Sequence, residues 1–172
     1  TSHPELLVAD ASGSLSYITL SGTSMATAVT SGVAAAMIAG NREARPSSPS
    51  LMPNAVKAIL EFTGIKLTDG SGLAYDRLVQ GAGGVNGGGA IDLASIVNTS
   101  VSIGTWWLVR GIQPRTTFGG ETDDWSQEFI WNNTPGYGYP VYRNLSTWGV
   151  SVVWGNNILW GDSIVWGENI LW

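Results

Sequence analysis

The sequence contains no cysteine and a single histidine, His3, among its 172 residues. Because there is no cysteine, disulfides and thiolate metal sites are excluded, and cysteine usage does not indicate a compartment. Charged residues make up only 12%, and the eight basic residues form no cluster, which argues against a nucleic-acid partner. No uninterrupted apolar run approaches the ~18 residues of a membrane-spanning helix, so we expect no membrane span.

Apolar residues and glycine are abundant instead. Hydrophobic residues make up 44% of the chain, enough to bury a core, and the net charge is −5. The 23 glycines are nearly double the usual share of about 7%, which predicts many tight turns and close backbone approaches. Composition divides the chain into three zones, residues 1–102, 103–147 and 148–172.

The first zone alternates short apolar runs with helical patterns. "LLVAD" and "LSYITL" are predicted strands. Residues 24–38 are a predicted helix that ends at Gly40, and since it has almost no polar face we expect it to be a buried central helix. A second, amphipathic helix is predicted from Pro53 to Gly64, and a third follows the glycine-rich turn "QGAGGVNGGG".

The second zone, residues 103–147, is rich in tryptophan and tyrosine among glycine, proline, asparagine and threonine. It shows no clear periodicity. We therefore predict an irregular connector with two short strands, held on a surface by its aromatic side chains.

The third zone is a Trp-Gly hexapeptide repeat, called here the hexad tail (residues 148–172). Its period of six fits β-structure and excludes a continuous helix, and the glycine triplets predict turns between short strands. Three functions are open for it: packing on its own protein, binding a carbohydrate or cell surface, and self-association. We favour self-association, because four hexads are too few to close a solenoid. It would use the repeated tryptophans Trp148, Trp154, Trp160, Trp166 and Trp172.

Three segments in the first zone share an order typical of one family. They are Gly22-Thr23-Ser24-Met25-Ala26, "PNAVKAIL", and the "GAGGVN" turn that leads into "GGGAIDLA". Over residues 5–100 the chain resembles the subtilisin-like (S8) serine peptidases, and most closely bacterial members, some of which carry Trp-Gly hexad tails. The resemblance implies an α/β fold, namely the C-terminal half of a subtilisin-like parallel-sheet domain.

The resemblance also implies an active-site role for the first of these segments. Ser24 would be the nucleophile and its backbone N–H an oxyanion donor, since a helix N-terminus favours negative charge. Gly22 would permit close approach of the substrate, and Met25 and Ala26 would keep bulk away from neighbouring strands. Thr23 or Ser24 could instead simply cap the helix. We favour the nucleophile role, because the other two segments of the family are also present.

The catalytic Asp and His and the oxyanion Asn of the family lie upstream of the matching segments. His3 lacks the His-Gly-Thr context of the family base, and Asp10 lacks the context of the family acid, so we interpret Asp10 as a strand-end turn residue. The sequence also starts at Thr1. We therefore expect the C-terminal part of a protease, inert alone because its triad is completed by an N-terminal segment.

The function predicted from the resemblance is that of a secreted, bacterial serine endopeptidase, a hydrolase that forms an acyl-enzyme with peptide or protein substrates. The alternative is a non-catalytic, processed fragment that assembles into an oligomer or extracellular fibre through the hexad tail. Residues 68–72 and 121–124 carry carboxylates, but neither has the dense oxygen ligands of a calcium loop. No metal or cofactor is assigned from the residues, and calcium is left open by the family resemblance alone.

Overall fold

The structure, a computed structural model, describes residues 6–131 and 134–149. His3 and the hexad tail beyond Gly149 lie outside the described residues, so their predictions are untested. The chain divides into two units, Thr1–Gly32 and Val33–Leu171. Each unit is considered by itself.

The first unit contains a β-hairpin. Strand β1 (Leu7–Ala9) pairs antiparallel with β2 (Leu15–Ile18). The connecting turn is closed by Asp10, whose carboxylate accepts hydrogen bonds from Ser12 and from the amide of Ser14. The two predicted strands and the turn role of Asp10 are confirmed, but the strands form a hairpin rather than part of a parallel sheet.

Helix α1 (Thr23–Ala44) is longer than the sequence predicted. It passes through Gly40, which lies beside Ile91 of α4: a Cβ at this position would lie 3.6 Å from the Ile91 side chain, an ordinary van der Waals contact. The prediction that the helix ends at Gly40 is wrong.

The expectation that α1 is a buried central helix is also wrong for most of its length. Its buried residues are Met37 and Asn41, both in its second half, and the residues at 23–32 are exposed or half-buried. Among residues 6–32, which the structure describes in the first unit, no layer covers them.

Helix α1 also changes the expectation about membrane spans. Among the described residues it is the one helix long and apolar enough to cross a membrane, judged by length and composition alone. The core helix of a soluble protein passes the same test. The expectation of no membrane span stays a prediction.

Three helices and a large core define the second unit. They are α2 (Pro53–Phe62), α3 (Arg77–Gln80) and α4 (Gly87–Ile96). α2 and α4 follow the prediction and pack on each other, whereas the short α3 was not predicted. The buried apolar side chains of these two helices are Ala55, Val56, Ala58, Ile59, Phe62, Ala90, Leu93, Ala94 and Ile96.

Residues 103–147 are more regular than the predicted connector. They form two antiparallel hairpins, a 3₁₀ helix and a last short helix, so that four strands stand where two were expected. The elements are β3 (Arg115–Phe118), β4 (Glu121–Asp124), β5 (Glu128–Trp131), β6 (Thr134–Tyr137), the 3₁₀ helix Tyr139–Tyr142 and α5 (Ser146–Gly149).

Aromatic side chains hold this zone against the helices. Trp107 is buried, and its indole N–H donates to the carbonyl oxygen of Val141 at 2.8 Å. Phe62 of α2 makes edge contacts with the rings of Trp125 and Tyr142. The aromatic anchoring predicted from the composition is present, and it extends the core of α2 and α4.

The described elements together form a mixed α/β arrangement. All three sheets of the described residues are two-stranded and antiparallel. The parallel sheet implied by the family resemblance does not occur in this part of the chain, because each described strand pairs with its neighbour in sequence.

Candidate active site

The predicted nucleophile lies at the start of α1. The helix begins at Thr23, which makes Ser24 its second residue. The carbonyl oxygen of Gly22 accepts the amides of Met25 and Ala26, both at 3.1 Å. The amides of Thr23 and Ser24 precede this first turn, and amides in this position have no acceptor within a helix. The hydroxyl and the free N–H of Ser24 therefore lie together at the N-terminal, positive end of a 22-residue helix.

Gly22 makes this entry to the helix possible. Its φ is +136°, a conformation that side-chain-bearing L-residues rarely adopt. The residue before the helix therefore has to be glycine for the chain to turn in this way. This local geometry accounts for glycine at position 22, whereas the close approach of a substrate that the family resemblance implies for Gly22 stays a prediction.

Ser24 differs from the other hydroxyls along α1. Thr27, Thr30 and Ser31 each donate to the carbonyl oxygen four residues earlier, at 2.8–2.9 Å. Such back-bonding occupies the hydroxyl. Among the described residues of the first unit, none hydrogen-bonds the side chain of Ser24, and its residue is exposed. Its hydroxyl is thus available to an incoming group.

A general base for Ser24 does not occur in the described residues of the first unit. These residues, 6–32, include no Lys, Arg or His, and their acidic side chain is Asp10. The Asp10 carboxylate is engaged by its own turn, and the sole histidine of the chain, His3, lies outside the described residues. The five predicted site residues, 22–26, are consecutive in the chain. The described residues of the first unit add no general base to them.

The first candidate cation segment, residues 68–72, is a self-contained turn. The Asp69 carboxylate accepts from the hydroxyl and amide of Ser71 at 2.6 and 2.8 Å and from the amide of Leu73 at 3.0 Å. The hydroxyl of Ser71, followed by these amides, lowers the pKa of Asp69. The carboxylate stabilises its own loop.

The second candidate cation segment, residues 121–124, is the exposed strand β4. No cluster of three or more potential metal ligands occurs in the part of the chain that the structure describes.

The glycine-rich turn before α4 is a packing element. Gly83 has φ +121°, and a Cβ there would lie 2.5 Å from the Ile65 carbonyl oxygen. Asn86 caps α4 by accepting from the amide of Gly89, and it donates to the carbonyl oxygen of Thr63 at 3.0 Å. The turn therefore holds two parts of the fold together.

Sequence reasoning missed Glu128. This carboxylate is only 3% exposed and pairs with Lys66 Nζ at 2.6 Å and Arg77 Nε at 3.3 Å. It ties β5 to the segment that joins α2 to α3. No sequence signal could have found it, because the three charges are far apart along the chain and belong to no motif.

Comparison with known proteins supports the resemblance. Residues 6–138, more than half of the chain, match the model of peptidase S8, the subtilase family. No curated protein and no solved structure matches the chain. The matched range includes Ser24, the α2 helix and the glycine-rich turn before α4. The chain belongs to the subtilase family.

Proposed function

We propose that this chain is the C-terminal, serine-bearing part of a secreted subtilisin-like serine endopeptidase. The observation that carries the proposal is the position of Ser24 in a subtilase sequence: second residue of a long helix, exposed, with its hydroxyl not turned back onto the helix. Membership of the family makes peptide-bond hydrolysis the expected chemistry.

In the proposed reaction the Ser24 hydroxyl oxygen attacks the scissile carbonyl carbon, and the hydroxyl proton passes to a histidine base. The tetrahedral oxyanion is held by the Ser24 N–H and by the dipole of α1. Expulsion of the amine, which takes up the proton, leaves an acyl-enzyme that water hydrolyses. The histidine, its orienting aspartate and the second oxyanion donor, an asparagine, come from the N-terminal segment of the same peptidase.

The chain is proposed to be inert without that segment. A serine that lacks its base remains a weak nucleophile at neutral pH, and loss of triad partners removes most of the rate enhancement. The hairpin and the first half of α1 also expose apolar side chains that the N-terminal segment would cover. These are Val8, Leu15, Tyr17, Ile18, Leu20 and Val29, each between 43% and 64% exposed.

A fluorophosphonate probe tests both parts of the proposal. In the intact peptidase, we expect covalent labelling that Ser24→Ala abolishes and that Ser21→Ala, at an exposed serine three residues earlier, leaves unchanged. In the 172-residue chain alone, we expect no labelling above that of Ser24→Ala. Efficient labelling of Ser24 in the isolated chain would contradict its inertness, and labelling of the intact peptidase that survives Ser24→Ala would contradict the nucleophile.

We also propose an extracellular, bacterial location, which rests on the family resemblance. Fractionation of the producing cells tests it. The protein should be recovered from the medium, and recovery only from the cytosol would contradict it.

A non-catalytic assembly function is the second proposal. In it, a processed fragment assembles into an oligomer or extracellular fibre through the hexad tail, whose tryptophan recurs every six residues and would pair with another copy. Electron microscopy of the purified chain separates the two functions, because regular polymers would support assembly and monodisperse particles would contradict it.

A further inference from the structure

The second unit carries an exposed apolar surface that neither proposal above uses. It lies on the segment between α2 and the glycine-rich turn and is called here the apolar loop surface. Its five members are Leu67, Leu73, Tyr75, Leu78 and Val79, which are 48%, 70%, 46%, 98% and 74% exposed. Single exposed apolar residues are ordinary, but five within thirteen positions of one loop indicate a surface that something covers.

The apolar loop surface is built on a fixed backbone. The amide of Tyr75 donates to the carbonyl oxygen of Leu67 at 3.0 Å, and the amide of Asp69 donates to that of Leu73 at 2.8 Å. The Gln80 side chain closes the loop by accepting from the amide of Leu67 and donating to the carbonyl of Tyr75. These bonds fix the backbone of the loop that carries the five exposed side chains.

Buried charge holds the same loop to the core. Glu128 pairs with Lys66, beside Leu67, and with Arg77, beside Leu78. The two acidic side chains of the loop are turned to their own backbone, Asp69 to its turn and Asp76 to the amide of Leu78. The side chains of Lys66 and Arg77 remain about half exposed at the border of the surface.

The hexad tail beyond Gly149 has the matching chemistry. Residues 150–172 repeat tryptophan with isoleucine, leucine and valine, and their charged residues are Asp162 and Glu168, with no basic residue. Such a segment can offer large apolar side chains to the surface.

The tail also starts close enough to reach the surface. Asn54, in the first turn of α2, donates to the carbonyl oxygen of Thr147 at 2.7 Å, so the described chain ends beside the start of α2. The surface begins at Leu67, five residues after α2 ends at Phe62. The ten residues of α2 span about 15 Å, whereas residues 150–172 can extend about 75 Å at ~3.3 Å per residue.

We propose that the hexad tail of the same chain packs its tryptophans on the apolar loop surface. The tail then serves as a cover for its own protein. Tethering favours this over a second copy, because two segments joined in one chain meet at an effective concentration on the order of millimolar when the connection can span the distance. The inference does not depend on the catalytic role of Ser24.

Single-cysteine variants of the full 172-residue chain test the proposal, since the parent has no cysteine. Leu78→Cys places a thiol on the surface, with Val79→Cys as a second variant in case the first fails to fold. Phe118→Cys is the matched control, because Phe118 is an apolar residue 85% exposed at the tip of the β3–β4 hairpin.

We expect maleimide to modify Leu78→Cys at least about tenfold more slowly than Phe118→Cys, which corresponds to a cover bound most of the time. Adding Trp160→Ser and Trp166→Ser should bring the two rates together. Equal rates with the native tail, or slow modification that persists after both tryptophans are replaced, would overturn the proposal.

Crosslinking then identifies the source of the tail. A chain with both Leu78→Cys and Ile164→Cys should give a crosslinked monomer with a short bismaleimide. A mixture of the two single variants should give no crosslinked dimer. A dimer in that mixture, without the intrachain product, would assign the surface to a second copy and overturn the same-chain proposal.

Discussion

Asn41 shows how one polar side chain can join two distant segments. It is 1% exposed on α1, and its amide nitrogen donates to the carbonyl oxygens of Ala94 and Val97, both at 2.8 Å. These carbonyls belong to the end of α4, where the last carbonyls of a helix lack the usual amide donor four residues further on. The Ala94 carbonyl also accepts the amide of Val97 at 3.2 Å. Asn41 therefore acts as a cap supplied from another helix.

Replacing Asn41 by leucine keeps the approximate volume and removes both donors. We expect Asn41→Leu to lower the free energy of unfolding by about 1–3 kcal/mol, because both carbonyls lose the Asn41 donor in the core, where a lost hydrogen bond carries a desolvation cost. Urea unfolding followed by circular dichroism measures it.

Glu43→Gln is the control for Asn41→Leu, since Glu43 is exposed on the same helix. It should change the free energy of unfolding by less than about 0.5 kcal/mol. Equal effects of the two substitutions would show that the Asn41 bonds contribute nothing.

At the scale of elements, the turn between α3 and α4 depends on close backbone approach. Ile65 and Gly84 form an antiparallel bridge, with reciprocal amide-to-carbonyl bonds at 3.0 and 2.8 Å. Gly83 lies against the same Ile65 carbonyl. The "GAGGVN" segment helps to identify the family, and its glycines are needed where the segment contacts Ile65, shortly after α2.

Gly83→Ala tests that contact. The added Cβ would lie 2.5 Å from the Ile65 carbonyl oxygen in a backbone conformation with φ +121°. We expect a loss of about 2–4 kcal/mol in the free energy of unfolding, since strain and overpacking act together.

Gly70→Ala is the matched control for Gly83→Ala. A Cβ at Gly70 meets nothing within 4 Å, and its φ is not in the left-handed region. The free energy of unfolding should stay within about 1 kcal/mol of the parent. Similar losses for both substitutions would contradict the role given to the Ile65 contact.

At the scale of the whole molecule, burial is unequally divided between the two units. The second unit contains the buried core of α2, α4 and the aromatic side chains. In the first unit, none of the described side chains is buried. A hairpin without a core is marginally stable in water, so the first unit needs a cover that its own described residues do not supply.

Hydrogen exchange should report this inequality. In the isolated chain, we expect the bonded amides of β1 and β2 to exchange at least about tenfold faster than those of α2, because local opening costs less where few apolar contacts are lost. Mass spectrometry of peptides from the two regions measures it. Equal protection of the hairpin and α2 would show that the hairpin is covered in the isolated chain.

Much of the local structure could be predicted from the sequence. The apolar spacing of α2, with Pro53 at its start, and the short helix α4 after its glycine turn are set by preferences of neighbouring residues. The strands β1 and β2 were predicted for the same reason. The family and the position of Ser24 at a helix start also come from short, ordered motifs, and the nucleophilic role of Ser24 stays a prediction.

Tertiary contacts decided the rest. Gly40 does not end α1, which continues to Ala44, and the strands pair with their sequence neighbours rather than in parallel. The ion pairs of Glu128 with Lys66 and Arg77 form only in the folded chain. The first half of α1 is exposed despite its apolar sequence. Local conformation depends on residues that are close in sequence, so the sequence alone determined it. Burial and pairing depend on which distant segments are present to make contact, and only the tertiary structure decides that.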